Sequence, residues 1–186
     1  MAYQLTSLGI SVLALLRERP MHGYEMFQTL VRRHADHIVK VRPGSLYHAV
    51  DRLTEEKLIR RAATTRAGNR PERAVYEITD AGVEALGERV RDLVAMPANE
   101  FPQFVAALAA IDTLDPDAAA TAVDDRVGAL EARAAEIMAL RDAGITPATG
   151  SLVAFDYVLA TMRAELSWLR EFADSLRTGS RDEVSR

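Results

Sequence analysis

The sequence predicts a mainly α-helical protein in which a winged helix-turn-helix N-terminal domain precedes an α-helical C-terminal dimerisation domain. Three amphipathic helical segments followed by a short basic β-hairpin predict the winged helix. From residue 97 the chain is acidic, alanine-rich and helical in its spacing, which predicts the second domain. We expect the winged helix to span residues 1–95, the helical dimerisation and effector domain 96–179, and a short tail 180–186.

Apolar residues at helical spacing predict the first two helices. The segment LTSLGISVLALLRERP offers Thr6 or Ser7 as an N-terminal cap, and Pro20 ends it. The segment MHGYEMFQTLVRRHADHI, residues 21–38, has the spacing of a second helix. Its predicted apolar face contains Tyr24, Phe27, Leu30 and Val31.

The third helix is predicted to begin at Pro43, within KVRPGSLYHAVDRL. Its predicted buried stripe consists of Leu46, Val50 and Leu53. Proline suits the first helical turn, but the cap position before it holds Arg42, a poor cap whose charge opposes the helix dipole. Free N–H groups at a helix start bind phosphate, and Lys40 adds a second cation there. We therefore interpret Arg42 and Lys40 as a phosphate clamp at the start of a recognition helix.

Two short strand-compatible runs, LIRRAATT and RAVYEIT, follow the third helix, and RAGNRPE between them has the composition of a hairpin tip. Thr79 or Asp80 then caps a fourth helix. From Arg60 to Arg73 arginine outnumbers acidic residues five to one, the exception being Glu72. Because a hairpin charged only for solubility usually has mixed signs, this bias indicates a polyanionic partner.

Charge is divided unevenly along the chain. The formal net charge of −4 combines a balance of +4 over residues 1–80 with −8 over residues 81–186. All four histidines also lie in the first half. A basic half beside an acidic half indicates that the first half is the part that faces a polyanion.

Several classes of protein are disfavoured by what the sequence lacks. With no cysteine there are no disulfides or thiolate metal sites, and the cytoplasm is the expected compartment. No run of about 18 apolar residues and no secretory leader is found, so we expect no membrane contact. Hydrolase and nucleotide-binding motifs are absent, and His22 lacks the companions of a metal motif. We therefore expect no enzyme, no catalytic residue, no cofactor and no metal.

The last long helical segment presents an apolar stripe that recurs every three to four residues, which is typical of a two-stranded packing seam. A single small domain does not bury a seam of this length, whereas a second copy does, so the stripe predicts a homodimer. The predicted interface residues are Val153, Tyr157, Ala160, Ala164, Trp168 and Phe172.

Aromatic residues of the second half have two interpretations. Packing in the core or the dimer seam accounts for most of them, and a pocket for a flat apolar ligand is the alternative. Under the second interpretation, the candidate effector-binding residues are Phe101, Phe104, Phe155 and Trp168.

The solvent face of the third helix and the hairpin tip supply the candidate DNA contacts. The major groove admits one helix and displays distinct donor and acceptor patterns, and hairpin arginines contact phosphates or enter the minor groove. The candidate residues are Ser45, Tyr47, His48 and Arg52 on the helix, Lys40 and Arg42 at its start, and Arg66, Asn69, Arg70 and Arg73 around the hairpin.

The segments LGISVLALLRERPMHGYEM, VRPGSLYHAVDRLTEEKLIRR and RAVYEITDAGVEAL resemble the PadR family of bacterial transcription regulators, and the second half resembles the PadR-like subgroup with a long helical C-terminal domain. The resemblance implies a homodimer that binds a palindromic double-stranded DNA operator, usually represses, and often releases DNA when a small aromatic compound binds. It adds Tyr24 of HGYE to the DNA contacts. The chain departs from the family at Arg42, where Ser or Thr is more common, and at Lys57, where glycine is expected. We expect the second departure to change only the end of the recognition helix.

Two other functions compete with this interpretation. A ligand-binding or protein-interaction module could keep a winged helix without using it on DNA, although the basic bias of residues 1–80 argues against it. A small acid–base catalyst that uses His22 is the more distant alternative.

Overall fold

The computed structural model describes residues 4–65, 73–98, 100–142 and 149–178, and the chain divides into two compact units, Met1–Ala98 and Asn99–Arg186. The predicted mainly α-helical class with a small winged-helix sheet is confirmed. Each unit has its own buried core, so each is described by itself.

Three helices form the body of the first unit: α1 (Ser7–Glu18), α2 (Gly23–Arg32) and α3 (Pro43–Glu55). Thr6 caps α1, its hydroxyl accepting from the Gly9 amide at 3.1 Å, as the sequence predicts. The predicted stripe of α3 is buried, with Leu46 and Leu53 fully inaccessible. Burying each such side chain contributes about 1.5–3 kcal/mol. This burial fixes which face of α3 remains in solvent.

A three-stranded antiparallel sheet completes the first unit, with β1 (Met21–His22), β2 (Ile59–Thr65) and β3 (Arg73–Ile78) in the order β1-β3-β2. The prediction of one helix over residues 21–38 is wrong at both ends. Met21 and His22 pair with Tyr76 and Val75 of β3, so α2 begins only at Gly23. After Arg32 the chain turns through a short 3₁₀ helix, Ala35–His37. Tertiary pairing outweighs local periodicity at these ends.

The C-terminal end of α3 is closed by a residue in the left-handed conformation. Lys57 has φ 59°, its amide donates to the Thr54 carbonyl at 3.0 Å, and the Leu58 amide donates to the Leu53 carbonyl at 2.9 Å. These two bonds make a Schellman motif, in which glycine usually occupies the position of Lys57. Lys57 thus lies just past the end of the recognition helix, which is where we expect this departure from the family to act.

Helix α4 (Asp80–Ala95) begins against the first residues of β2. Thr79 caps it by accepting from the Gly82 amide at 3.1 Å, and the same hydroxyl donates to the Lys57 carbonyl at 2.8 Å. A Cβ on Gly82 would lie 2.1 Å from the Leu58 carbonyl oxygen, so only glycine allows this approach. The end of α3, the start of β2 and the start of α4 are therefore tied together at one point.

The second unit contains α5 (Gln103–Leu108), a 3₁₀ turn (Ile111–Thr113), α6 (Pro116–Asp142) and α7 (Thr149–Thr178). The sequence offers Asp115 as the cap of α6 and Gly144 as its stop. Asp115 accepts from the Ala118 amide at 2.9 Å, whereas Gly144 lies outside the described residues. Helices α6 and α7 pack antiparallel, since ion pairs join Asp124 to Arg177 at one end and Arg141 to Asp156 at the other. Among the described residues, no helix is long and apolar enough to cross a bilayer.

Replacing Lys57 with glycine should stabilise the protein. A non-glycine residue in the left-handed region destabilises the folded state by roughly 1–2 kcal/mol, and glycine removes this cost. Glycine also gives the unfolded chain more conformational freedom, which offsets about 0.5–1 kcal/mol of the gain. Lys57→Gly is therefore expected to raise the free energy of unfolding by about 0.5–1 kcal/mol in urea titrations. Lys57→Ala, which keeps a Cβ, is the matched control and should show no such gain. A gain of equal size in both variants would contradict the backbone explanation.

Candidate nucleic-acid interface

The exposed face of α3 carries the predicted contact residues side by side. Ser45, His48 and Arg52 follow one another at helical spacing, and all three are exposed. Together with Lys40 they line a groove of about 840 Å³, bounded by the start of α1 and the α2–α3 connector. The structure therefore brings four of the predicted DNA contacts into one surface. Gln4, Thr6 and Ser7 also line this groove, and the sequence analysis did not predict them as DNA contacts.

The start of α3 has the electrostatic character that the sequence predicts. Arg42 occupies the cap position in extended conformation and makes no capping hydrogen bond with its side chain, and Pro43 is the first helical residue. No acidic residue lies in the first turn. Helix geometry leaves the Gly44 and Ser45 amides without an intrahelical acceptor. This end of the helix therefore offers N–H donors, a dipole and a cation to an anion.

Tyr24 of α2 and Tyr47 of α3 lie next to each other, away from the groove. They line a small cavity of about 260 Å³ with His22, Gly23 and Tyr76 among the neighbours. The Tyr47 ring packs directly on Gly23, where an added Cβ would lie 2.9 Å from the ring edge. Both tyrosines are half exposed, so α2 presents Tyr24 beside the exposed part of α3.

His22 has a structural position. It is the cap residue of α2, its amide donates to the Glu25 carboxylate at 3.4 Å, and its Nδ1 lies 3.2 Å from the Ala74 carbonyl oxygen. The hydrogen bond from Arg19 holds the pKa of the Glu25 carboxyl below its usual value, so Glu25 remains an acceptor. His22 therefore joins the start of α2 to strand β3.

Arg52 is held loosely by acidic neighbours. Its guanidinium lies 3.4 Å from Glu55 and 4.0 Å from Glu56, and all three side chains are well exposed. Exposed ion pairs of this kind contribute about 0–1 kcal/mol. Exchanging these partners for a base edge or a phosphate therefore costs little.

The basic hairpin is described only at its base. Arg60 of β2 pairs with Glu77 of β3 at 2.6 Å, and these two residues are also register partners. Arg73 opens β3 opposite Thr65. The predicted contacts Arg66, Asn69 and Arg70 lie outside the described residues.

The structure places the candidate effector residues of the second unit in different surroundings. Phe155 is buried between α6 and α7 in a cluster with Ile137, Leu159 and Met162, whereas Phe101 is 80% exposed. Trp168 stacks on Phe172 with ring centroids 5.0 Å apart. Phe104 borders an apolar pocket of about 500 Å³ between α5, the 3₁₀ turn and α6. Arg126, which the sequence did not single out, covers the Phe104 ring at 3.5 Å.

Five of the six residues of the predicted dimer stripe of α7 face away from α6, whereas the sixth, Phe172, is partly buried against the core that α6 and α7 share. Val153 and Tyr157 are each 71% exposed, and Ala160, Ala164 and Trp168 are exposed as well. The helix pair instead buries the opposite side of α7, on which the inaccessible residues are Phe155, Leu159, Met162, Leu166, Leu169, Ala173 and Leu176.

Comparison with known proteins identifies the domain type. Residues 12–88 match the model of the Transcriptional regulator PadR-like family, which confirms the predicted resemblance over this segment. No curated protein sequence is significantly similar to the chain.

Three solved structures share the fold. Bacillus subtilis PadR in complex with operator DNA has a TM-score of 0.75 at 19% identity, covering 92% of this chain and 99% of that chain. PadR from the same organism in complex with p-coumaric acid has a TM-score of 0.71 at 18% identity, covering 91% and 98%. The Vibrio cholerae virulence activator AphA has a TM-score of 0.70 at 21% identity, covering 92% and 99%.

Replacing Arg42 with serine should stabilise the free protein and weaken its binding to DNA. Serine caps the Gly44 and Ser45 amides, which is worth about 1 kcal/mol in urea titrations, but it removes a cation from the start of α3. Arg42→Ala is the control, because it removes the charge without supplying a cap. Both variants should lose DNA affinity, and only the serine variant should gain stability. Unchanged DNA affinity in both would rule out the phosphate clamp.

Proposed function

We propose that this chain, whose residues 12–88 match the PadR-like family, is a sequence-specific DNA-binding transcription regulator that acts as a cytoplasmic homodimeric repressor. The observation that carries the proposal is the exposed face of α3, where Ser45, His48 and Arg52 lie together with Lys40 at the groove. Hydrogen-bond donors on one helix face are what readout of major-groove base edges requires.

Cationic residues around this face would bind the DNA backbone. Lys40 and Arg42 lie beside the α3 N-terminus, and the hairpin begins close to Tyr24 and Tyr47, with Ala74 and Tyr76 lining the same small cavity. Phosphate contacts set the position of a protein on the duplex, whereas base contacts select the sequence. We assign Lys40, Arg42 and the hairpin arginines to the first role, and His48 and Arg52 to the second.

A homodimer would place two recognition helices on one operator. The stripe of α7 that carries Val153, Tyr157 and Trp168 is exposed although it is apolar, and packing it against the same stripe of a second copy would cover both. Two copies would present their α3 helices to half-sites about one turn of DNA, roughly 34 Å, apart. This arrangement predicts a palindromic operator.

A small aromatic or hydrophobic effector that releases the operator completes the proposal. The pocket beside Phe104 supports it, because leucine, isoleucine, valine and alanine side chains line it and Arg126 borders it. The Arg126 guanidinium also donates to the Glu165 carboxylate, with the bond from Nε 2.8 Å long, so an anionic ligand would compete with Glu165. The related Bacillus subtilis PadR has been crystallised with p-coumaric acid, a compound of this class.

Binding to the DNA upstream of the protein's own gene tests the proposal. We expect tight, strongly salt-dependent binding by fluorescence anisotropy at low salt. Lys40→Ala should reduce the slope of log K against log salt by about 0.9, the value for one phosphate contact. His48→Ala and Arg52→Ala should instead lower the preference for the operator over scrambled DNA by about 1–3 kcal/mol each.

Arg91 on α4 provides the matched control, because it is an exposed arginine on a helix that contributes nothing to the groove. Arg91→Ala should retain both the slope and the preference. Equal losses on operator and scrambled DNA would remove Arg52 and His48 from base readout. Absence of binding at low salt would favour the competing function, a ligand-binding or protein-interaction module that keeps the winged helix.

Substituting the α7 stripe tests the homodimer. Tyr157→Glu places a charge at a position that is 71% exposed in the single chain, so the α6–α7 pair should remain folded while the dimer dissociates. Light scattering should give the mass of one chain for this variant and of two chains for the wild type. Arg163→Glu is the control, because Arg163 is exposed on α7 outside the stripe. It changes the net charge more than Tyr157→Glu does, yet it should leave the protein dimeric. A dimeric Tyr157→Glu variant would place the interface elsewhere.

A further inference from the structure

The connector between α2 and α3 brings two histidines and an aspartate together. His34 precedes the 3₁₀ turn Ala35–His37, and the His37 amide donates to the His34 carbonyl at 3.2 Å. The turn brings the two imidazole rings close together, with ring centroids 6.3 Å apart and ring planes inclined by 42°. The ligand atoms of His34, Asp36 and His37 all lie within 4.8 Å of one another.

We propose that His34, Asp36 and His37 form a binding site for a divalent transition-metal ion such as Zn²⁺. The proposal does not depend on the proposed DNA-binding function. It differs from the expectation of no metal, which rested on His22, because the histidine pair that the structure brings together is a different one.

The donor set has the chemistry of a transition-metal site. Imidazole nitrogen suits Zn²⁺, Cu²⁺, Ni²⁺ and Fe²⁺, and a carboxylate adds negative charge that offsets the charge of the ion. Three protein ligands leave at least one coordination position for water. In a tetrahedral zinc site the ligand atoms are about 3.3 Å apart, given bonds of about 2.0–2.1 Å. Small side-chain rotations on one turn would therefore close the site.

The backbone of the turn is already held in place at both ends. Arg33, immediately before His34, donates two hydrogen bonds of 2.6 and 2.7 Å to the Glu18 carboxylate of α1. At the other end Val39 is buried, and its amide donates to the Ala35 carbonyl at 2.8 Å. The Glu18 carboxylate also offsets the positive charge of Arg33, the residue next to His34 in the chain. Binding of a metal ion would therefore require little further ordering of the backbone, because folding already holds this turn in place.

His34 adopts a conformation that few residues tolerate. Its φ of 53° lies in the left-handed region, where asparagine, aspartate and histidine are enriched among non-glycine residues. This identifies a substitution that removes a ligand but not the backbone preference. His34→Asn keeps a residue that favours the left-handed region and lacks the imidazole.

Titration of the full-length, untagged, chelator-treated protein with Zn²⁺ by calorimetry tests the site, with Co²⁺ absorption as a second readout. We expect one ion per chain, and visible Co²⁺ bands of the intensity given by tetrahedral nitrogen and oxygen ligands. His34→Asn and Asp36→Asn should each weaken binding about tenfold or more. His48→Gln is the control for metal affinity alone, because it removes an exposed histidine of α3 outside the group.

Thermal melting without metal should show that His34→Asn remains folded. If it is unfolded, the Zn²⁺ affinity of Asp36→Asn is the test of the site. Loss of binding in these variants but not in His48→Gln supports the site. Failure of the wild type to bind Zn²⁺ below about 1 mM, a concentration at which only weak surface binding is expected, would overturn the proposal. Equal affinity of the wild type, His34→Asn and Asp36→Asn would overturn it as well.

Discussion

Burial of one face of α3 is the interaction on which the first unit depends. Leu46, Val50 and Leu53 pack into the core formed with α1 and α2, and because side chains on a helix keep fixed angular relations, this burial turns Ser45, His48 and Arg52 outward. The same helix is thus both the centre of the core and the exposed surface. A shift in its packing would redirect every residue assigned to base readout.

The two ends of α3 differ in how they are stabilised. At the C-terminal end the structure supplies hydrogen bonds through Lys57, Leu58 and Thr79, which also join the helix to β2 and α4. At the N-terminal end Arg42 supplies a cation and no cap. The helix is therefore anchored where it meets the rest of the unit, while the start that faces solvent keeps its free N–H groups, which is consistent with an anion binding there.

Helix α7 has two apolar faces with different roles. One face packs on α6, with Phe155, Leu159 and Leu169 at its centre, and the other carries Val153 and Tyr157 in solvent. Periodicity alone found the second stripe, and the aromatic set left Phe155 open between the core and a ligand site, because a sequence pattern does not state which of two apolar stripes meets a neighbouring helix. In the same way, the spacing of His34 and His37 does not by itself predict a shared site, and only the structure shows that the connector between α2 and α3 brings their ring centroids to 6.3 Å.

The sequence by itself determined the order of the helices, the stripe of α3 and the unusual start at Arg42, and it narrowed the caps of α1 and α4 to Thr6 or Ser7 and Thr79 or Asp80. These features are local: they follow from spacing, composition and capping within a few residues. Only the tertiary structure decided that Met21 and His22 form a strand, that Tyr47 packs on Gly23, and that Lys40 shares a groove with Arg52. It also decided that Phe104 borders a pocket while Phe155 is buried. The physical reason is that each of these depends on contacts between residues distant in sequence, and neither local propensity nor periodicity contains information about those partners.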